Sequence, residues 1–269
     1  MELSIIVTNY KNPELLKECL VSIGKNCSLK GYEIIVADCE TEEDTKVMMR
    51  ENFPEIKFLP FGENVGFGHL VRKAYEKTKG EYILVLNGDM IIKEGSIEKL
   101  LDYIKQHPDA GIVGPQLLNF NGTLQQSCFR FYRPMTIVYR RTFLGKLGFA
   151  KKHLDNFTMA DFDHKTTREV DWLMGSALMT SRAAVEKTGL LDKRYKMYLE
   201  DTDWCRSFWE KGYKVIYYPE AKMYHYHGRG SAGKSVLKTL LFNKLAWMHI
   251  SSAMKYFWKF RGRPVPKHN

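Results

Sequence analysis

Apolar residues along this chain follow two alternating patterns. Short unbroken runs, "LSIIVTN" (3–9), "YEIIVAD" (32–38), "IKFLPF" (56–61), "EYILVLNGD" (81–89) and "AGIVGPQLL" (110–118), predict strands, most of them buried on both faces. Between them, "PELLKECLVSI", "TEEDTKVMMREN", "NVGFGHLVRKAYEKTKG" and "SIEKLLDYIKQHP" place apolar positions three and four residues apart, with Pro13 opening the first. Strands separated by amphipathic helices predict an α/β domain: a mostly parallel central sheet with helices on both faces. The pattern loosens over 119–168, where Arg, Phe and Gly are scattered, and predicts an irregular insertion. It resumes with a strand in "VDWLMGSALMT", a helix in "RAAVEKTG", and a helix in "WCRSFWEKG" closed by Gly212.

The C-terminal stretch "KSVLKTLLFNKLAWMHISSAMKYFWKF" has helical spacing of another kind. Leu240, Trp247, Ile250, Met254, Phe257 and Trp258 fall in one apolar arc. Lys234, Lys238, Lys244, Lys255 and Lys259 share a second sector with Leu237, Leu241, Leu245 and Met248. With "RGRPVPKHN" beyond it, residues 234–269 predict a basic amphipathic segment lying on an anionic membrane surface. A helix that only packs on its own domain is the other reading.

Composition narrows the class. A 44% hydrophobic, 13% aromatic chain of 269 residues can bury a large core and is not disordered. Five cysteines without a C-x-x-C pair predict reduced thiols, not a disulfide or zinc framework. No apolar run reaches spanning length, and "MELSIIVTNY" lacks a leader pattern, so a cytoplasmic location is expected. The net charge of +10 favours anionic partners. Nucleic acid is not among those expected, because the basic residues are dispersed and no recognition motif is present.

Ligands of open α/β sheets gather beyond the carboxyl ends of the strands. Those ends carry Thr8-Asn9-Tyr10, Asp38 and Asn87-Gly88-Asp89. Asp38 can accept hydrogen bonds from a base or ribose, and Asp89 can hold a hard cation beside a diphosphate. Either is also an ordinary turn residue. Gly66 and Gly68, ahead of a helix, let backbone N–H groups approach a phosphate. The stretch "YLEDTDWCRSFWEKGYKVIYYPEAKMYHYHGRGS" adds Glu200, Asp201 and Asp203, which serve equally as helix-start acids or as a proton acceptor and its partners. His225 and His227 alternate at strand spacing and point to opposite faces, so only one is expected at a given ion.

In order along the chain, "SIIVTNYKNPELLKECLVSI", "IIVADCETEEDT", "NVGFG", "YILVLNGDM", "VDWLMGSALMTSRAAVEKTGLLDKRYKMYLEDTDWCRSFWEKGYKVIYYPEA" and "HYHGRGS" resemble inverting family 2 glycosyltransferases of the GT-A, Rossmann-like fold. The similarity covers roughly residues 2–235 and is nearest the bacterial rhamnosyltransferase-like branch. It implies a nucleotide-sugar-binding half (1–118) and an acceptor-binding, catalytic half (119–233). Thr8, Asn9, Tyr10, Asp38, Asn64, Gly66, Asn87, Gly88 and Asp89 would hold the donor, with Asp38 facing the pyrimidine. Asp89 occupies the last position of the metal-binding D-x-D segment, and His225 matches a second ligand for Mg²⁺ or Mn²⁺. Asp201 resembles the catalytic base, with Glu200 orienting or binding the acceptor and Asp203 capping the helix. Trp172 and Gly175 would line the acceptor site; a core tryptophan is the alternative. The sequence departs from the family pattern at Asn87, at Gly88, and at "HLVRK" after "NVGFG".

The implied reaction moves L-rhamnose from dTDP-L-rhamnose to a polyprenyl-diphosphate-linked saccharide of a cell-surface polysaccharide, on the inner face of the plasma membrane. UDP-galactofuranose or UDP-N-acetylglucosamine keeps the same chemistry. A nucleotide-sugar-binding protein without turnover is the reading from another class. The Glu200-Asp201 pair argues against it, since a binder needs no base.

Overall fold

The computed structural model of the chain describes residues 1–226 and 244–266. His227, Lys234, Leu237, Lys238, Leu240, Leu241 and Lys267 lie outside them, as do the side chains of Lys244 and Leu245. The first half alternates as the apolar runs predict. It runs β1 (Leu3–Tyr10), α1 (Pro13–Asn26), β2 (Tyr32–Cys39), α2 (Glu43–Asn52), β3 (Lys57–Phe61), α3 (Phe67–Tyr75), β4 (Tyr82–Asn87), β5 (Met90–Ile92), α4 (Ser96–Gln106) and β6 (Ala110–Leu118). Asn12 caps α1 through its side-chain oxygen, and Pro13 supplies the pre-set φ of a first helical residue.

The second half holds β7 (Leu124–Gln125), β8 (Cys128–Phe129), α5 (Pro134–Arg141), a 3₁₀ turn (Phe143–Lys146), α6 (Gly148–Phe157), β9 (Arg168–Glu169), β10 (Trp172–Leu173), β11 (Ala177–Ser181), α7 (Arg182–Thr188), α8 (Glu200–Glu210), β12 (Lys214–His225) and α9 (Lys244–Lys259). The main sheet runs β3-β2-β1-β4-β11-β6-β12-β5. Pairing is parallel from β3 through β4 and between β6 and β12. Strand β11 is antiparallel to both neighbours, and β5 is an antiparallel edge strand.

Two details depart from the apolar pattern. "VDWLMGSALMT" is not one strand: Met174 N–H leaves the main ladder for the Ser127 carbonyl, and Gly175 N–H goes to the Asp201 carboxylate. Strand β10 accordingly pairs with β8 in a small separate sheet. Residues 119–168, expected to be irregular, contain α5 and α6.

The C-terminal helix is not a detached appendage. Its inward face is Tyr256, Phe260 and Ala253, together with the buried polar residues Ser252 and His249. The arc expected from sequence lies largely outward: Trp247, Met254 and Trp258 are 57%, 64% and 67% exposed. Polar anchoring on α8 explains the difference. The Arg206 guanidinium lies 4.1 Å from the Phe260 ring centroid and also donates to the Tyr256 hydroxyl. Lys259 Nζ pairs with both Asp203 and Asp192, while Tyr195 donates its hydroxyl hydrogen to Asp203 at 2.8 Å. The capping role expected of Asp203 is therefore not what the fold uses. The N-cap position belongs to Leu199, which makes no side-chain cap bond.

Asp203 is only 1% exposed, so its charge depends on Lys259. Lys259→Met is expected to lower unfolding stability by about 3 kcal/mol, the scale of breaking a buried ion pair. Asp203→Leu combined with Lys259→Met should recover much of that loss. Urea unfolding of the two variants checks this. An unchanged midpoint for Lys259→Met would show that the pair contributes nothing.

Candidate active site

A cleft of about 310 Å³ opens at the carboxyl ends of β1, β2 and β4. Thr8, Asn9, Tyr10, Asn64, Gly66, Asn87, Gly88 and Asp89 line it, all of them picked out from sequence. Parallel pairing of β1 with β2 and β4 aligns Asn9 with Asp38 and Thr8 with Asn87. Thr8 Oγ1 donates to the Asn87 side-chain oxygen at 3.2 Å, and Gly88 N–H donates to the Thr8 carbonyl at 2.7 Å. A Cβ at residue 88 would sit 3.0 Å from the Asn9 amide oxygen, so the small middle residue lets the two loops close. Asn64 accepts from Gly66 N–H at 3.1 Å and shapes the turn into α3. Gly66 has φ +84°, and a Cβ there would lie 2.3 Å from the Lys196 carbonyl oxygen. Only glycine fits.

Asp38 stands behind this wall. It is fully buried, and its Oδ1 accepts from Asn9 Nδ2 at 2.8 Å while Oδ2 has no hydrogen-bond partner. Burial pushes its pKa up, against the hydrogen bonds from Thr41 and Asn9. An orphaned buried oxygen is costly and suits a donor brought by a ligand. Tyr10 is half exposed and spends its hydroxyl on Glu40 at 3.0 Å.

Asp89 and His225 come together across two elements. Tyr226 N–H donates to the Asp89 carbonyl at 2.9 Å, fixing the end of β12 beside the D-x-D segment. His225 Nε2 is 3.4 Å from Asp89 Oδ1, a buried atom that accepts no hydrogen bond. The histidine's tautomer follows from a chain of amides. Asn119 Nδ2 donates to the Leu124 carbonyl, so Asn119 Oδ1 faces Gln125 and accepts from its Nε2 at 3.2 Å. Gln125 Oε1 therefore accepts from His225 Nδ1–H at 2.6 Å. In the neutral imidazole this leaves the lone pair on Nε2, on the side of the Asp89 carboxylate. Two such acceptors facing each other fit a divalent cation. Among the described residues no cluster of three or more His, Cys, Asp or Glu side chains that could hold a metal ion occurs.

Glu200 and Asp201, at the start of α8, do not line this cleft; they approach it behind Gly175 and Phe67. Tyr198 and Leu199 both adopt left-handed backbone, φ +71° and +63°, immediately before Glu200. That costly geometry turns the first helical residues back toward the sheet. Asp201 Oδ2 accepts from Gly175 N–H at 3.0 Å and Oδ1 from Thr202 N–H at 2.7 Å. A Cβ on residue 175 would approach both the Asp201 Cβ and the Phe67 ring at 3.3–3.4 Å, and Phe67 itself lines the cleft. Glu200 is 9% exposed, and its Oε2 has no hydrogen-bond partner. Burial, then the neighbouring Asp201 charge, pushes Glu200 up to about 8. Burial also raises Asp201, but the two N–H groups oppose the shift. Near neutral pH the pair therefore keeps one proton, on Glu200, and leaves Asp201 as the carboxylate.

Trp172 is 6% exposed. Its indole stacks on Phe129 at 4.5 Å and on Tyr132 at 5.7 Å, and its Nε1–H donates to the Arg130 carbonyl. It sits on β10, just ahead of the turn that carries Gly175, and does not line the cleft. Sequence reasoning missed Lys196 and Met197, which also line the cleft, and Gln125, which holds His225. The nearness of Lys196 to the acidic stretch was a usable signal. Gln125 lies in the loosened insertion and gave none.

The raised Glu200 carboxyl makes a pH-dependent stability prediction. From the ordinary carboxyl range up to about 8, the folded chain holds a proton that the unfolded chain has released, so stability falls as pH rises. Glu200→Gln, a mimic of the protonated form, should raise Tm at pH 8 and leave it unchanged near ~pH 4, where both states are protonated. Calorimetry at the two pH values checks this, and an equal effect at both would contradict it.

The sequence model of Glycosyl transferase family 2 matches residues 4–165. The chain is 24% identical over 270 residues to an N-acetylglucosaminyl-diphospho-decaprenol L-rhamnosyltransferase of Mycobacterium tuberculosis, spanning 96% of this chain and 86% of the relative. It is 23% identical to the rhamnosyltransferase WbbL of Escherichia coli K12, spanning 96% and 93%. Among solved structures, Staphylococcus aureus TarS superposes with a TM-score of 0.61 at 16% identity, covering 85% of this chain and 37% of that one. GalNAc-T7, solved with UDP, GalNAc and Mn²⁺, superposes at 0.63 with 14% identity, covering 88% and 46%. These likenesses establish the GT-A arrangement of the sheet, and with the sequence match they place the chain: it belongs to glycosyl transferase family 2.

Proposed function

We propose that this chain is a metal-assisted, inverting transferase that moves L-rhamnose from dTDP-L-rhamnose to a polyprenyl-diphosphate-linked saccharide in cell-surface polysaccharide synthesis. The observation that carries the chemistry is the different setting of Glu200 and Asp201. Two backbone N–H groups on Asp201 favour its ionised form, and burial of Glu200 Oε2 without a partner favours its neutral form. The sugar is supported by the Mycobacterium tuberculosis and Escherichia coli relatives, both rhamnosyltransferases, and the acceptor class by the former, which acts on N-acetylglucosaminyl-diphospho-decaprenol. The enzyme is placed peripherally at the cytoplasmic face of the membrane that carries such acceptors. No helix among the described residues is long and apolar enough to cross a membrane.

In this reading the cleft residues Thr8, Asn9, Asn64 and Asn87 bind the nucleotide, and Asp38, buried behind them, orients Asn9 toward it. Asp89 and His225 would hold a divalent cation, which when bound supplies positive charge to the leaving diphosphate. An acceptor hydroxyl attacks the anomeric carbon from the side opposite the nucleotide. The bond from that carbon to the diphosphate oxygen breaks, the configuration inverts, and the hydroxyl proton passes to Asp201. Glu200, being protonated, donates a hydrogen bond and does not compete for that proton.

Asp201→Asn should leave nucleotide binding near normal and lower kcat by about 10²–10⁴-fold. Turnover close to wild type would move the base to Glu200. A panel of dTDP- and UDP-sugars in the same assay tests the donor assignment, and preference for UDP-galactofuranose or UDP-N-acetylglucosamine would overturn rhamnose.

EDTA should abolish transfer, and Asp89→Ala should weaken both Mn²⁺ and nucleotide binding. Gln125→Leu, which removes the acceptor that fixes the His225 tautomer, should weaken Mn²⁺ binding by about 10–100-fold without touching the ion directly. Mn²⁺ titration followed by electron paramagnetic resonance reads this independently of activity. Equal Mn²⁺ affinity in the Gln125 variant would show that the amide chain does not position the ligand.

A further inference from the structure

Helices α5 and α6, with the 3₁₀ turn between them, form an excursion from the sheet that buries little of its own apolar surface. On α6 only Ala150 and Phe157 are buried. Phe143, Phe149 and Leu147 are 70%, 65% and 42% exposed, and Met135 and Val138 add 43% and 37%. Soluble surfaces seldom cluster large apolar side chains this way without a partner.

The charge pattern around them is one-sided. No Asp or Glu occurs between residues 110 and 154, while Arg140, Arg141, Lys146, Lys151 and Lys152 are interspersed with the exposed apolar residues. Protein–protein interfaces are depleted in lysine, whereas a lipid headgroup layer accepts lysine ammonium groups above buried aliphatic and aromatic side chains. Lysines beside exposed Phe and Leu, with Asp155 near the end of α6 as the single acid of residues 134–157, complement an anionic bilayer surface.

The excursion also lies near the reaction site. Tyr132 accepts a hydrogen bond from Arg140 of α5 and stacks on Trp172, whose strand leads to Gly175 and Asp201. The same Tyr132 ring meets His249 of α9 at 6.2 Å. A second exposed apolar stripe, Trp247, Met254 and Trp258, runs along α9.

The geometry points to the α5–α6 excursion as a membrane-docking surface in its own right, with Phe143 and Phe149 entering the interfacial layer of an anionic bilayer. It works beside the C-terminal helix and brings the acceptor side of the site to the lipid surface. This rests on the membrane location proposed above but not on the identity of the sugar.

The test uses the full chain and vesicles of phosphatidylglycerol or of phosphatidylcholine alone, at low and high salt. The wild type should sediment with the anionic vesicles at low salt. Phe143→Glu combined with Phe149→Glu should lower the partition coefficient by about tenfold or more, since two interfacial aromatic contacts are lost and two like charges gained. Both positions are exposed, so melting temperature and nucleotide binding should stay at the wild-type level. As a second readout, a nitroxide on Phe149→Cys should lose accessibility to a water-soluble relaxation agent when anionic vesicles are added. Wild-type partition of the double variant, or an unshielded label at 149, overturns the docking surface. If only Trp247→Glu with Trp258→Glu releases the protein, the membrane location stands and α9 alone provides it. If the wild type ignores anionic vesicles at low salt, both fail, while donor turnover in solution still tests the transferase reading separately.

Discussion

Two carboxyl groups side by side in low dielectric cannot both be charged, and the reaction site of this protein is organised around that constraint. Glu200 and Asp201 are consecutive residues, so neither can move away from the other. The fold answers by giving them different surroundings. Asp201 receives the N–H groups of Gly175 and Thr202, while Glu200 Oε2 is buried without a donor. Much of the neighbouring structure follows from this. The break between β10 and β11 frees Gly175 N–H for the carboxylate, and the left-handed pair at Tyr198 and Leu199 sets the direction in which α8 begins.

Asp89 and His225 are brought together differently. They come from distant parts of the chain, and the imidazole is aimed by neutral amides. Asn119 and Gln125 pass a single donor–acceptor direction from a backbone carbonyl to His225 Nδ1–H. Asn87, in place of the first acid of D-x-D, is engaged by the Thr8 hydroxyl and holds the loop. The local negative charge therefore rests mainly on Asp89.

The sheet was legible because buried parallel strands leave continuous apolar runs, and their ends name the cleft residues directly. Thr8, Asn9, Asn87 and Asp89 all fall at strand ends, where topology alone gathers ligands. What the sequence hid depends on contacts between remote segments. Nothing local distinguishes Gln125 from any loop glutamine, and the meeting of Gly66 with the Lys196 carbonyl joins loops about 130 residues apart. The C-terminal helix shows the same limit in another form. Its apolar periodicity was real, yet the buried face was chosen by Arg206 and Asp203, polar residues of α8 that no helical wheel contains.

That last contact has a consequence for how the chain is made. Asp203 meets its balancing lysine 56 residues further along. At a synthesis rate of about 5–20 residues per second, α8 exists for about 3–11 s before that lysine is added. During this interval, the nascent helix carries a carboxylate whose buried place in the mature protein is not yet compensated. Consolidation of α8 is therefore tied to the arrival of the C-terminal helix and not to completion of the sheet. A nascent chain stopped after β12 has all the strands seen among the described residues but lacks the counter-charge that lets α8 settle.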